Sequence, residues 1–112
     1  GDITVKIVDN GEHVDIPIRE GEIYMLPART PHSPRRGPNT VGLVMEVQRR
    51  EGMKDGFIWY CENCKNKLHD EYFFMTDIVT QLPVVMNNFY SNLDLRTCKK
   101  CGTVMEKPTL TV

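Results

Sequence analysis

Apolar and polar residues alternate from the start of the chain. Ile3, Val5 and Ile7 stand against Thr4, Lys6 and Val8. That period of two predicts a strand with one apolar face. Asp9-Asn10-Gly11 is a hairpin turn signal. Val14, Ile16 and Ile18 then alternate with His13, Asp15 and Pro17 and predict a second strand. Arg19-Glu20-Gly21-Glu22 is a further turn, and Ile23 to Leu26 reads as a short strand ending at Pro27. Ala28 to Asn39 holds Pro31, Pro34, Gly37 and Pro38, so a loop is expected there. Val41 to Val47, opening on the apolar run Val41 to Met45, predicts another strand. Short strands with frequent turns favour a mainly β barrel or sandwich.

The pattern changes between Arg49 and Gly56, where charge and glycine accumulate. A boundary there separates a segment 1–56 from a segment 57–112. In the second segment Phe57-Ile58-Trp59-Tyr60 and Leu68 to Met75 read as strands. A short helix is expected over about 83–93: Pro83 suits a first helical turn, and Val85, Phe89 and Leu93 recur at helical spacing. Met25, Met45, Met75 and Met86 read as packing residues. Trp59 and Tyr60 are expected to pack beneath the cysteines that follow them. The tail from Lys107 carries no pattern and is expected to be loose.

Charge narrows the class. Fourteen basic and fifteen acidic side chains leave a net charge of −1. No basic field steers this chain to nucleic acid, and no apolar run is long enough for a membrane helix. The four cysteines fall in two close pairs, Cys61-Glu62-Asn63-Cys64 and Cys98-Lys99-Lys100-Cys101. With no secretion signal in view, metal binding in a reducing, cytoplasmic compartment accounts for them better than two disulfides. Four thiolates suit zinc or a single iron. A closed four-ligand site reads as structural, and an electron-carrying iron is the sharper alternative. Lys65, Lys67, Lys99 and Lys100 beside the pairs, and Arg49-Arg50 at the boundary, read as solvated charge.

The second chemical element runs from Gly21 to Arg36. A strand ends at Pro27, and His32 follows from a proline-stiffened stretch, Pro31-His32-Ser33-Pro34. Taken alone, His32 is an ordinary polar residue, Arg36 a solvated loop charge and Glu46 a strand-end carboxylate. However, Glu46 ends an apolar run, where a buried carboxylate would need a partner. The spacing from Gly21 to Pro27 to His32 resembles the second motif of the cupin β-barrels. Within them, Leu26 to Arg36 and Asn39 to Glu46 resemble the 3-hydroxyanthranilate 3,4-dioxygenases. Asp55 to Cys61 and the cysteine pairs resemble the short form of that family, which appends a rubredoxin-like four-cysteine site to its barrel.

The resemblance implies a cupin barrel, a double-stranded β-helix, here incomplete at the N-terminus. It implies an extradiol dioxygenase that opens the ring of 3-hydroxyanthranilate with O2 at a non-haem Fe(II), on the route from tryptophan to quinolinate and NAD. His32 matches the family's last histidine ligand. Arg36 matches an arginine that grips the substrate carboxylate, and Glu46 a carboxylate that contacts the substrate and accepts a proton. The four cysteines match the Fe or Zn site. The family's other ligands, a histidine and a glutamate, belong to a motif whose final glycine resembles Gly1. This polypeptide, which opens at Gly1-Asp2, is therefore expected to be a C-terminal portion, inactive alone. His13 and His69 are weak substitutes for those ligands. An unpaired barrel edge would be a template for another chain, so a homodimer stays open. The rival reading is a zinc-ribbon binding module without catalysis. A third is a non-catalytic cupin that holds a small acid through Arg36.

Overall fold

The computed structural model describes residues 1–108. The expectation for the tail beyond residue 108 lies outside them. The chain divides into two compact units, Gly1–Val47 and Gln48–Val112.

The first unit is built on three strands: β1 Ile3–Asp9, β2 Glu12–Ile18 and β3 His32–Arg36. Their order is β2-β1-β3, antiparallel throughout. Asn10 and Gly11 form the tight β1–β2 turn at φ 47° and 81°. Both lie in the left-handed region that such a turn demands, which is why Asn-Gly stands there. The 19–22 turn also forms, closed by the Glu22 amide on the Arg19 carbonyl at 2.9 Å. In the register, Ile3, Val5 and Ile7 lie opposite Ile18, Ile16 and Val14. Directly opposed residues share a face, so these six make one apolar face. The other face is mixed and carries the Lys6–Asp15 ion pair at 3.1 Å.

Several expectations fail here. The proline-rich stretch is not all loop, because His32–Arg36 pairs with β1 as β3. Pro34 is tolerated because β3 is an edge strand, where a missing N–H breaks no ladder on the open side. Ile23 to Leu26 and Val41 to Val47 form no strand. Val41 is 96% exposed, and Met25 and Met45 are exposed rather than packed. Apolar residues make a strand only when a neighbouring strand offers a ladder and a surface. The first unit is a three-stranded sheet and not a closed barrel.

The second unit pairs β4 Asp55–Tyr60 with β5 Lys67–Phe73 and covers them with α1 Ile78–Tyr90, followed by the short α2 Leu93–Arg96. Trp59, Val85 and Phe89 are the buried centre, with Phe57, Leu68, Phe73, Met86, Tyr90, Leu95 and Met105 around it. Met75 is also buried. Helix α1 starts five residues before the expected 83. Asp77 caps it by accepting the Val79 amide at 3.0 Å, and the Gln81 side chain accepts the Thr76 and Asp77 amides. These caps outweigh the one backbone bond that Pro83 removes inside the helix. Leu93 is correspondingly misassigned: it opens α2 and is largely exposed, so the stripe ends at Phe89.

Candidate metal centre and the His32 face

The four cysteines converge. Their Sγ atoms all lie within 4.8 Å of one another, with Cys61–Cys101 and Cys64–Cys98 each 3.5 Å apart. A tetrahedral ion with metal–sulfur bonds of about 2.3 Å needs sulfurs roughly 3.8 Å apart. The donor set therefore fits zinc or a single iron.

The two pairs reach that geometry by the same backbone device. The Cys61 amide donates to the Asn66 carbonyl and the Lys65 amide to the Cys61 carbonyl, at 2.7 and 2.9 Å. At the second pair the Cys98 amide donates to Thr103 and the Gly102 amide to Cys98, both at 2.9 Å. Each loop needs a left-handed residue just after its second cysteine. Gly102 supplies it at φ 79°, and Lys65 at φ 66°. Strand β4 delivers the first pair. The second follows α2, held by the Thr97–Val104 bridge and the Met105 amide on the Arg96 carbonyl.

Backbone dipoles are aimed at the sulfurs. The Lys100 and Cys101 amides both point to Cys98 Sγ at 3.4 Å. The Cys101 amide foremost, with the Lys100 amide, holds the Cys98 thiol below its ordinary value against the effect of burial. Cys101 Sγ lies 3.2 Å from Thr103 Oγ1. That hydroxyl, the Thr103 amide and Asn63 draw its pKa down to about 5. At Cys64 the Asn66 amide favours the thiolate, but burial and the neighbouring sulfurs of Cys98, Cys101 and Cys61 outweigh it and push the thiol up to about 11. Four crowded sulfurs cannot all ionise without a cation among them. The lysines are partnered or solvated as expected: Lys67 pairs with Asp70 at 3.0 Å, and Lys99 bonds to Asp94.

The other predicted residues lie in the first unit. His32, Pro34 and Arg36 pair with Ile7, Val5 and Ile3. The register therefore puts His32 and Arg36 on the apolar face of the sheet, four residues and roughly 13 Å apart. His32 Nδ1 lies 2.9 Å from the Thr30 carbonyl, which can only accept. In the neutral ring this contact places the proton on Nδ1 and leaves Nε2 to a ligand. Glu46 lies in the irregular stretch after β3 and is exposed, so it does not end a buried strand as the sequence suggested.

Of the two weaker histidines, His13 is exposed on β2. His69 stacks on Trp59 and Phe89 with ring centroids at 5.8 and 6.1 Å, which makes it part of the second unit's aromatic core. Among the described residues the cysteines are the only group of three or more metal-ligating side chains that converge.

Sequence reading missed the Arg49–Asp55 clamp. The guanidinium grips both carboxylate oxygens at 2.7 and 2.6 Å, across the turn closed by the Met53 amide on the Arg50 carbonyl. The Arg49 hydrogen bonds foremost, and then its charge, hold the Asp55 carboxyl below the usual range. The six-residue spacing of opposite charges around Gly52 was the available signal. No described helix is long and apolar enough to cross a membrane.

Residues 1–90 match the family model described as 3-hydroxyanthranilic acid dioxygenase. A curated 3-hydroxyanthranilate 3,4-dioxygenase of Xanthomonas campestris is 44% identical over 108 residues, 96% of this chain and 61% of that protein. Proteins of the same name from Candida albicans and Neurospora crassa are 44% and 45% identical, covering 93% and 95% of this chain and 61% and 59% of their own lengths. The chain thus spans about three-fifths of the curated relatives it matches. The match takes in the His32 strand and the first cysteine pair together, and on that evidence the chain belongs to the 3-hydroxyanthranilic acid dioxygenase family.

Proposed function

We propose that this chain is the C-terminal portion of an iron-dependent 3-hydroxyanthranilate 3,4-dioxygenase. In that reading its three-stranded sheet is one wall of a cupin barrel with the apolar face inward, and the Gln48–Val112 unit is the appended four-cysteine segment. The observation that carries the reading is the pair of polar side chains on that apolar face. His32 has its free nitrogen fixed by Thr30, and Arg36 stands four residues along the same strand. Both side chains are exposed on that face and open to a ligand, and binding gives them a common role.

One imidazole does not hold Fe(II). The described residues lack the three-ligand facial set expected of such oxygenases, and we place the remaining ligands in the part of the relatives this chain does not span. When bound, the iron would bring the substrate's amino and hydroxyl groups beside O2. Both oxygen atoms end in the opened product, 2-amino-3-carboxymuconate semialdehyde. Arg36 presents a planar fork to the substrate carboxylate. Glu46 accepts the proton that the substrate releases on binding.

The four-cysteine metal is structural in this account. Its donor set is closed, with no position left for water or substrate. The zinc-ribbon alternative is not favoured, since the family match covers the His32 segment as well as the first cysteine pair. Turnover of 3-hydroxyanthranilate with added Fe(II) tests the proposal. An intact enzyme that contains this segment should consume substrate and O2 in equal amounts, and this polypeptide alone should not. Absence of turnover in the intact enzyme would remove the reading.

A further inference from the structure

Gly42 is not glycine for the sake of its backbone, because its φ lies outside the left-handed region. The reason is a side chain. A Cβ built on Gly42 would lie 2.5 Å from Arg36 Nη2 and 2.7 Å from Cζ, and would collide with Nη1 as well. The chain turns back after β3 to make this approach. Asn39 sits at φ 58° and the Thr40 hydroxyl donates to the Gly37 carbonyl at 3.0 Å. The Arg36 guanidinium therefore rests on the bare Cα of a residue six positions further on.

We propose that Gly42 is a positioning residue for Arg36, a shelf that holds the guanidinium ready for a substrate carboxylate. The inference rests on the proposed role of Arg36. A long flexible side chain loses rotamer freedom when it grips a ligand, and a surface that confines it beforehand reduces that loss. The collision involves the far end of a mobile side chain. A methyl group at residue 42 is therefore accommodated by moving the guanidinium and leaves the backbone in place. The expected effect falls on substrate affinity, with fold and chemical step preserved.

The test uses the intact enzyme containing this segment, with Gly42→Ala, Arg36→Ala and the double variant. Gly42→Ala should raise KM for 3-hydroxyanthranilate roughly tenfold with little change in kcat, the pattern of lost ground-state binding. In the Arg36→Ala background it should add nothing, because the group it displaces is gone. A KM unchanged by Gly42→Ala, or an equal increment in both backgrounds, would overturn the inference while leaving the role of Arg36 intact. A KM unchanged by Arg36→Ala would instead overturn that role, and the inference with it. If Gly42→Ala does not accumulate as folded protein, Arg36→Ala must restore it by vacating the space. Failure to fold in both backgrounds would contradict the proposal.

Discussion

Trp59 and Phe89 stack with ring centroids 4.4 Å apart and planes 17° from parallel. Phe89 is wholly buried. The pair fastens α1 onto β4, two residues before the strand delivers Cys61. One strand, β4, therefore contributes Trp59 to the hydrophobic centre of the second unit and leads directly into the first cysteine pair. Phe89→Ala should cost about 3–5 kcal/mol, the usual loss for a buried aromatic ring. Leu93→Ala, at an exposed position, should stay within about 0.5 kcal/mol. Denaturant unfolding followed by Trp59 fluorescence separates the two, and equal losses would contradict the assignment of the core.

Removing the metal should loosen the same unit. Binding free energy at a structural thiolate site acts as folding free energy, about 10–16 kcal/mol apparent in small zinc units. A chelator should therefore expose all four thiols to a thiol reagent and shift Trp59 emission to the red. The pH dependence has a definite sign. Cys101, drawn to about 5, is already a thiolate at neutral pH, whereas Cys64, pushed up to about 11, keeps its proton. Metal loading must displace that proton, so apparent affinity rises with pH through neutrality. A competition titration showing no pH dependence would count against the thiol assignment.

The Arg49–Asp55 clamp predicts a separate pH effect. Asp55 has a folded-state pKa below its unfolded value, with the Arg49 hydrogen bonds as the main cause. Its stabilisation is therefore present above the ordinary carboxylate range and lost as pH falls through the folded value. Arg49 is about a third exposed, so solvent screening limits the contribution to about 1 kcal/mol. Asp55→Asn should cost that much at pH 7 and little at pH 2. An equal loss at both would show that the shape of the residue matters more than its charge.

Much of this was legible in the residues. Alternation at Ile3, Val5 and Ile7 and the Asn10-Gly11 turn fixed the β1–β2 hairpin, because period-two patterning and left-handed turn chemistry are local properties. The convergence of Cys61, Cys64, Cys98 and Cys101 was equally clear, since C-x2-C spacing leaves few other uses. What failed depended on neighbours. Val41 to Val47 had the composition of a strand but finds no ladder among the described residues. Pro34 argued for a loop until the edge of β1 offered it a tolerant position. Pro83 resembles a helix start because the Asp77 and Gln81 caps, six and two residues earlier, are side-chain contacts that periodicity does not reveal. The approach of Arg36 to Gly42 follows from a turn at Asn39 and is invisible in one dimension.

In the proposed reading, His32 ligates a catalytic iron distinct from the cysteine-bound metal. The decisive measurement is on His32→Ala in the intact enzyme, with metal content and ring-cleaving turnover taken from the same sample. Iron outside the thiolate site should be lost and turnover should fall to background, while the four-cysteine metal and the Trp59 signal stay unchanged. Retention of that iron with near-normal turnover would contradict it.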